Sequence, residues 1–373
     1  MTVIYKQQTK SLKTPNFFEK LHCDPILLGL VFLLSFLGII ILFSASSGIH
    51  AQVERQLIRL LGGFIVLFFF AQIPLYKYKH KVPYLFCGGV FLLITVLLIG
   101  KFSKGAQRWL DLGFFRFQPS ELMKIIVPMM LAWYFSQQSL PINSKNVFFA
   151  VLIIFFPALL IAKQPDLGTA LMVVFSGGGM VFFAGMSYRL ITAFILLCSI
   201  SAPFLWGMLH AYQKLRLLNF FNPERDPLGS GYHIIQSKIA IGSGGVFGKG
   251  FLLGTQSHLH FLPEHATDFI FAVLAEEAGF LGCFLLITIF CAIIFRALYI
   301  AHMTSDIFSK LLVVSLTLNF FLSAFVNMGM VTGILPVVGI PLPLISYGGS
   351  SILVLLASFG IIMSAYSCSK RYS

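Results

Sequence analysis

Charge is what this chain has least of. Only 10% of its 373 residues are Asp, Glu, Lys or Arg, and 13 acids stand against 26 Lys plus Arg. A soluble domain carries about 25% charged residues, so a water-soluble globule is excluded. Segments that alternate apolar and polar residues are missing as well, which excludes an outer-membrane barrel. Cysteine is sparse: Cys23, Cys87, Cys198, Cys283, Cys291 and Cys368 lie mostly in apolar runs, without a Cys-x-x-Cys pair or metal-ligand spacing. Neither a disulfide framework nor a zinc site organises the fold, and helix packing is their simplest use. A short signal-type apolar core is also lacking, because the first apolar run is already a full span. Internal repeats are absent, which argues against the common transporter architectures.

What is present is apolar sequence, 58% of the chain. Only helices satisfy the backbone in lipid once barrels are excluded. The expected fold is an all-α integral membrane protein, a single polytopic domain over 1–373. About ten helices of roughly 20 residues would each cross a hydrocarbon core of about 30 Å. The runs are 26–45, 56–73, 84–100, 120–136, 147–162, 167–185, 190–210, 268–295, 309–330 and 345–366. Between spans seven and eight a long gap, 211–267, reads as a loop or small subdomain, and 1–25 reads as a cytoplasmic tail.

Basic residues orient the spans. Lys6, Lys10, Lys13 and Lys20, then Lys77, Lys79 and Lys81, Arg189, Arg296, Lys310, Lys370 and Arg371 fall on one side if both termini are cytoplasmic. The 211–267 loop then lies outside. Lys101, Lys104, Arg108 and Arg116 break the rule by lying outside too. An anionic substrate such as a diphosphate would explain them, and simple tolerance during translocation explains them equally well. The formal net charge of +13 is thus mostly topological, and its scatter over many loops excludes a nucleic-acid face.

Charges in or beside spans are the functional signal. Glu121 and Lys124 are three residues apart on one helical face, either as a local ion pair or with Lys124 free to hold a phosphate. Trp109 is either an interfacial anchor or a sugar platform. Lys163 closes a span before a Pro165-Asp166 turn and snorkels outward or faces substrate. The glycine-rich stretch 241–250 lacks the order of a phosphate loop and suits re-entrant or amphipathic pieces. His258, His260 and His265 with Glu264 and Asp268 are a weak zinc set. Asp268 stands at the outer edge of span eight, as a helix cap or as a catalytic acid-base group. Glu276 and Glu277 lie about 12 Å deeper. They need a basic partner or a proton. The proline- and glycine-rich run 333–351 breaks the helical pattern and must line protein or a cavity.

Four runs together carry a resemblance: GAQRWLDLGFFRFQPSELMK (105–124), KQPDLGTAL (163–171), FLPEHATDFIFAVLAEEAG (261–279) and ILPVVGIPLPLISYGGSS (334–351). They resemble the SEDS family of shape, elongation, division and sporulation proteins, and the last run is most similar to its elongation-type members. The resemblance spans nearly the whole chain. It implies a ten-span bundle in the bacterial cytoplasmic (inner) membrane and a peptidoglycan glycosyltransferase that polymerises lipid II. It implies a class B penicillin-binding protein and other elongation-complex proteins as partners, and a divalent cation, Mg or Mn, whose site is unknown. By motif matching the essential acid is Asp268, while Arg108, Trp109, Glu121 and Lys124 fall at family positions tied to substrate handling. Lys163 and Glu264 join them as candidate substrate-facing residues. One departure is that the family often reads Pro-Glu-Arg-His-Thr-Asp where this chain has Pro263-Glu-His-Ala-Thr-Asp268, so its usual histidine is Ala266. A lipid II flippase, or a scaffold without chemistry, are the competing classes.

Overall fold

A computed structural model describes residues 21–46, 50–103, 106–111, 116–139, 141–186, 211–222, 230–258 and 264–372, with isolated positions between 192 and 207. Helices dominate. They are α1 (Pro25–Ala45), α2 (His50–Gln72), α3 (Leu75–Lys79), α4 (Val82–Ile99), α5 (Pro119–Phe135), α6 (Ser144–Lys163), α7 (Leu167–Phe183), α8 (Ala211–Phe221), α9 (Ser230–Gly244), α10 (Thr255–His258), α11 (Ile270–Met303), α12 (Ile307–Thr332) and α13 (Ser350–Tyr372). Among the described residues six are long and apolar enough to cross a membrane: α1, α4, α6, α11, α12 and the 350–367 part of α13. α7 is apolar but shorter. α2 carries Glu54, Arg55 and Arg59, and α5 carries Glu121 and Lys124. Span seven, 190–210, lies largely outside the described residues. The chain is a multi-pass membrane protein of helical build.

One connection departs from the expected pattern, and a second fills in what the sequence left open. The 101–117 connection, read as a plain loop, holds a small antiparallel sheet of β1 (Lys101–Ser103), β2 (Ala106–Asp111) and β3 (Arg116–Phe117) in the order β1-β2-β3. Among its described residues the 211–267 stretch, expected as a loop or small subdomain, holds three helices, of which α9 packs on α11 and α12.

α12 is the hub, in contact with α5, α7, α9, α11 and α13. Its start is capped by Asp306, whose carboxylate accepts from Ser309 N at 3.0 Å, and its end turns on Gly333 in the left-handed region. α2 runs along α13, where Gly360 has no room for a Cβ because Leu67 O would lie 2.4 Å from it. Small residues let helices approach closely in a membrane, where packing rather than hydrophobicity drives association. At the end opposite the candidate site, buried Asp24 caps α1 through Leu27 N at 2.7 Å and pairs with Arg296 of α11.

α11 is broken. Gly279 has φ 63° and ψ −159°, a conformation essentially confined to glycine. The break frees backbone groups that lipid cannot satisfy, and the segment after α9 replaces the lost bonds. Lys249 N and Gly250 N donate to the carbonyls of Glu276 and Glu277, each at 3.0 Å, while Phe280 N and Leu281 N donate to Gly245 O and Val246 O at 2.9 and 3.2 Å. Backbones this close exclude side chains: a Cβ on Gly248 would meet Glu277 O at 2.0 Å, and one on Gly279 would meet Gly248 N at 2.3 Å.

Candidate functional site

The proline-rich segment between α12 and α13 is where the sequence motifs converge. It cannot continue α12, because Gly333 terminates that helix and Pro336, Pro341 and Pro343 lack the N–H a helix needs. It wraps the turn that precedes α11, and together with α12 it supplies a donor to each of three successive carbonyls of that turn. Tyr347 N donates to Ala266 O at 2.9 Å, Ser346 Oγ donates to Thr267 O, and Asn327 Nδ2 donates to Asp268 O at 2.9 Å. Asp268 is half-buried. Its carboxylate lies beside Gly339, where an added Cβ would stand 3.5 Å from Oδ2. Asp268 does not cap α11; Phe269 holds the cap position, without a side-chain cap bond.

The same segment closes a small cavity. Ile340, Pro341, Leu342, Pro343, Leu344 and Ser346 line it together with Glu121, Lys124 and Asn319. Its volume of about 50 Å³ holds a few waters, less than a disaccharide requires. Lys124 Nζ donates to Glu121 Oε1 at 2.7 Å, and both side chains are nearly buried. Asn319 Nδ2 donates to Lys124 O at 3.0 Å, which ties α12 to this turn of α5. Segment 339–346 thus runs beside Asp268 at Gly339 and shares the lining of the cavity with the Glu121–Lys124 pair.

Arg108 and Trp109 sit on β2. The Arg108 guanidinium donates to Gln164 O at 3.3 Å and to Pro165 O, and stands 3.8 Å from Asp166 Oδ1. Asp166, expected only in a turn, is a buried junction. Its carboxylate also accepts from Gln118 Nε2 at 2.7 Å, from Ser120 Oγ at 3.1 Å and from Thr169 N at 3.4 Å. It therefore joins the hairpin, the start of α5 and the start of α7. Trp109 is half-buried and pairs with Lys101 across the hairpin.

Lys163 is exposed at the end of α6. Glu264 is exposed, has φ 55°, and shapes the turn: its Oε2 accepts from Thr267 Oγ1 at 2.8 Å and its carbonyl from Thr267 N at 3.0 Å. Glu276 is fully buried and finds its cation in Lys249 Nζ at 2.7 Å; it also accepts from Thr255 N at 2.8 Å and Gln256 N at 3.1 Å. Glu277 accepts from Ser44 Oγ at 2.6 Å. The His258 side chain and His260 lie outside the described residues, and His265 is half-buried. Among the described residues no group of three or more His, Cys, Asp or Glu could hold a metal ion.

This geometry defines a class: a helical membrane protein with a half-buried carboxylate held at one end of the bundle and a nearly buried ion pair in a small, mostly apolar cavity. The sequence profile of the FtsW, RodA and SpoVE cell cycle proteins matches residues 23–371. The chain is 48% identical over 359 residues to the peptidoglycan glycosyltransferase MrdB of Escherichia coli (strain K12), covering 96% of this chain and 97% of that protein. It is 35% identical over 370 residues to stage V sporulation protein E of Bacillus subtilis (strain 168), with 95% and 99% covered. In fold it is similar to a chain solved in a study of structural coordination of polymerization and crosslinking by a peptidoglycan synthase complex. That match has a TM-score of 0.81 at 31% identity, with 92% of this chain and 97% of that chain covered. The Thermus thermophilus rod shape determining protein RodA matches with a TM-score of 0.70 at 26% identity, covering 92% and 96%. The chain belongs to the FtsW/RodA/SpoVE family, the SEDS proteins.

Proposed function

We propose that this chain is a peptidoglycan glycosyltransferase that polymerises lipid II into glycan strands during elongation of a rod-shaped cell. The observation that carries the reading is the convergence of Asp268 and the Glu121–Lys124 pair on segment 339–346, in a chain 48% identical across its length to a peptidoglycan glycosyltransferase. Transfer breaks the bond between the anomeric carbon and the diphosphate oxygen and makes one to the acceptor hydroxyl oxygen. The hydroxyl proton passes to the Asp268 carboxylate, and the diphosphate leaves with the electron pair. A base so placed contributes about 10²–10⁴ in rate. Lys124 supplies positive charge toward the diphosphate, with Glu121 holding its ammonium on the cavity side. A lipid anchor confines the substrate to the membrane plane and raises its effective concentration.

The reading includes ten spans, cytoplasmic termini, an external 211–267 stretch and residence in the cytoplasmic membrane. A class B penicillin-binding protein is the proposed partner, consistent with the structural match to a chain of a synthase complex. The described residues offer no metal cage, so a divalent cation is assigned to the diphosphate as its counter-ion and no step is drawn through it. The test is conversion of lipid II by the purified chain, with and without the penicillin-binding protein, read as glycan strands. Polymer is the expected result. Lipid II that merely equilibrates across vesicle leaflets without polymer would point to a flippase and overturn the proposal.

A further inference from the structure

We infer that Asn327 and Ser346 position Asp268 for the transfer step, an inference that rests on the reading of Asp268 as the base. Asn327, on the hub helix α12, is completely buried. Its one amide nitrogen donates twice, to Asp268 O at 2.9 Å and to Ile340 O at 2.7 Å. Among the described residues its Oδ1 meets no donor. Flipping the amide would set that oxygen against two carbonyl oxygens, so the chemistry fixes the orientation. The Asn327 amide therefore bridges two backbone carbonyls, one on each of two separate segments. Its geometry suits one task, tying the Asp268 peptide to the segment that carries Gly339.

Ser346 makes the second tie. It is 2% exposed, its Oγ accepts from Leu342 N at 2.8 Å, and it donates to Thr267 O. One hydroxyl thus closes a turn of the proline-rich segment and clamps the residue before Asp268. With the carbonyls of residues 267 and 268 both held, the peptide planes on each side of the Asp268 Cα are fixed. The Cα–Cβ direction, and so the arc the carboxylate can sweep, follows from them. Gly339 then provides a surface without a side chain for the carboxylate to lie against. Both residues act through Asp268, and neither is required to touch substrate.

The experiment uses the full chain in complex with its penicillin-binding protein and measures initial rates of lipid II polymerisation for Asn327→Ala, Ser346→Ala and Asp268→Asn. Misplacing a reacting group by about 1 Å costs about a hundredfold in rate. Each alanine variant is expected to lose about tenfold or more in kcat. Its KM for lipid II should stay within about threefold of wild type. Its unfolding temperature in detergent should fall by about 5 °C or less. Should Asn327→Ala not fold, Asn327→Ser, which keeps one small hydrogen-bonding group, reads the same split. Wild-type kcat in both alanine variants, a rise in KM at constant kcat, or a loss of rate that only tracks loss of folded protein overturns the inference. An inactive Asp268→Asn beside fully active clamp variants removes this inference alone, whereas an active Asp268→Asn removes the reading beneath it as well.

Discussion

Glu121 and Lys124 hold opposite charges 2.7 Å apart with little water around them. Removing one partner of such a pair leaves an unpaired buried charge and destabilises by about 3–5 kcal/mol, whereas replacing both by neutral groups of similar shape is often neutral. A single Lys124→Ala change would therefore confuse folding with chemistry. The double variant Glu121→Gln/Lys124→Met is expected to keep its unfolding temperature within about 5 °C. Its polymerisation rate should fall by about a hundredfold, the loss usual for a missing electrostatic stabiliser. Thermal melts and strand synthesis on the same preparation check this, and wild-type synthesis would reduce the pair to a packing device. This pair was legible in the sequence because its residues are three apart on one helix. The partner of Glu276 was not. Lys249 lies 27 residues away, in a loop whose docking no local pattern reveals. Asp166 was half legible: Pro165-Asp166 signalled a turn, but the donors that converge on it come from β2 and the start of α5, remote in sequence.

At the scale of elements, the break in α11 and the segment 245–250 form one unit, since each satisfies backbone groups the other leaves bare. Gly248 stands at φ 79° with Glu277 O where its Cβ would go. Gly248→Ala therefore combines backbone strain with overpacking, which typically destabilises by about 1–3 kcal/mol. The expected outcome is a lower unfolding temperature and a lower yield of folded protein in detergent. An unchanged melt would show that the splint is dispensable. Long apolar runs announced α1, α4, α6 and α12 within a few residues, because twenty apolar residues admit one structure in lipid, whereas α11 runs on past the expected residue 295 to Met303. The hairpin at 101–117 escaped notice since its strands are only 3, 6 and 2 residues long and too short to show alternation. Segment 241–250 was recognisable as glycine-rich, but only the gap in α11 says why. Gly279, set in the middle of span eight, was the available signal.

For the whole molecule, the lysine and arginine distribution sets a sidedness that can be measured. Cysteines introduced at positions 77 and 230 should label from opposite sides of the membrane, with 77 reached from the cytoplasm. Native Cys23 will interfere little. It is buried, and burial together with the neighbouring Asp24 pushes its thiol up to about 11, so the reactive thiolate is scarce near neutral pH. Labelling of both introduced sites from outside would overturn the orientation. With that orientation, Asp268, segment 339–346 and the 101–117 hairpin share the outer end of the bundle, where a lipid-anchored sugar diphosphate would meet them. There the Asp268 carboxylate is proposed to take the acceptor proton. Asp268→Asn preserves side-chain shape and the backbone carbonyl that Asn327 holds, so the variant should fold, keep its partner and bind lipid II. The decisive measurement is strand synthesis from lipid II by this variant in complex with its penicillin-binding protein. Bound substrate and no polymer are expected, and polymer at the wild-type rate would contradict proton abstraction by Asp268.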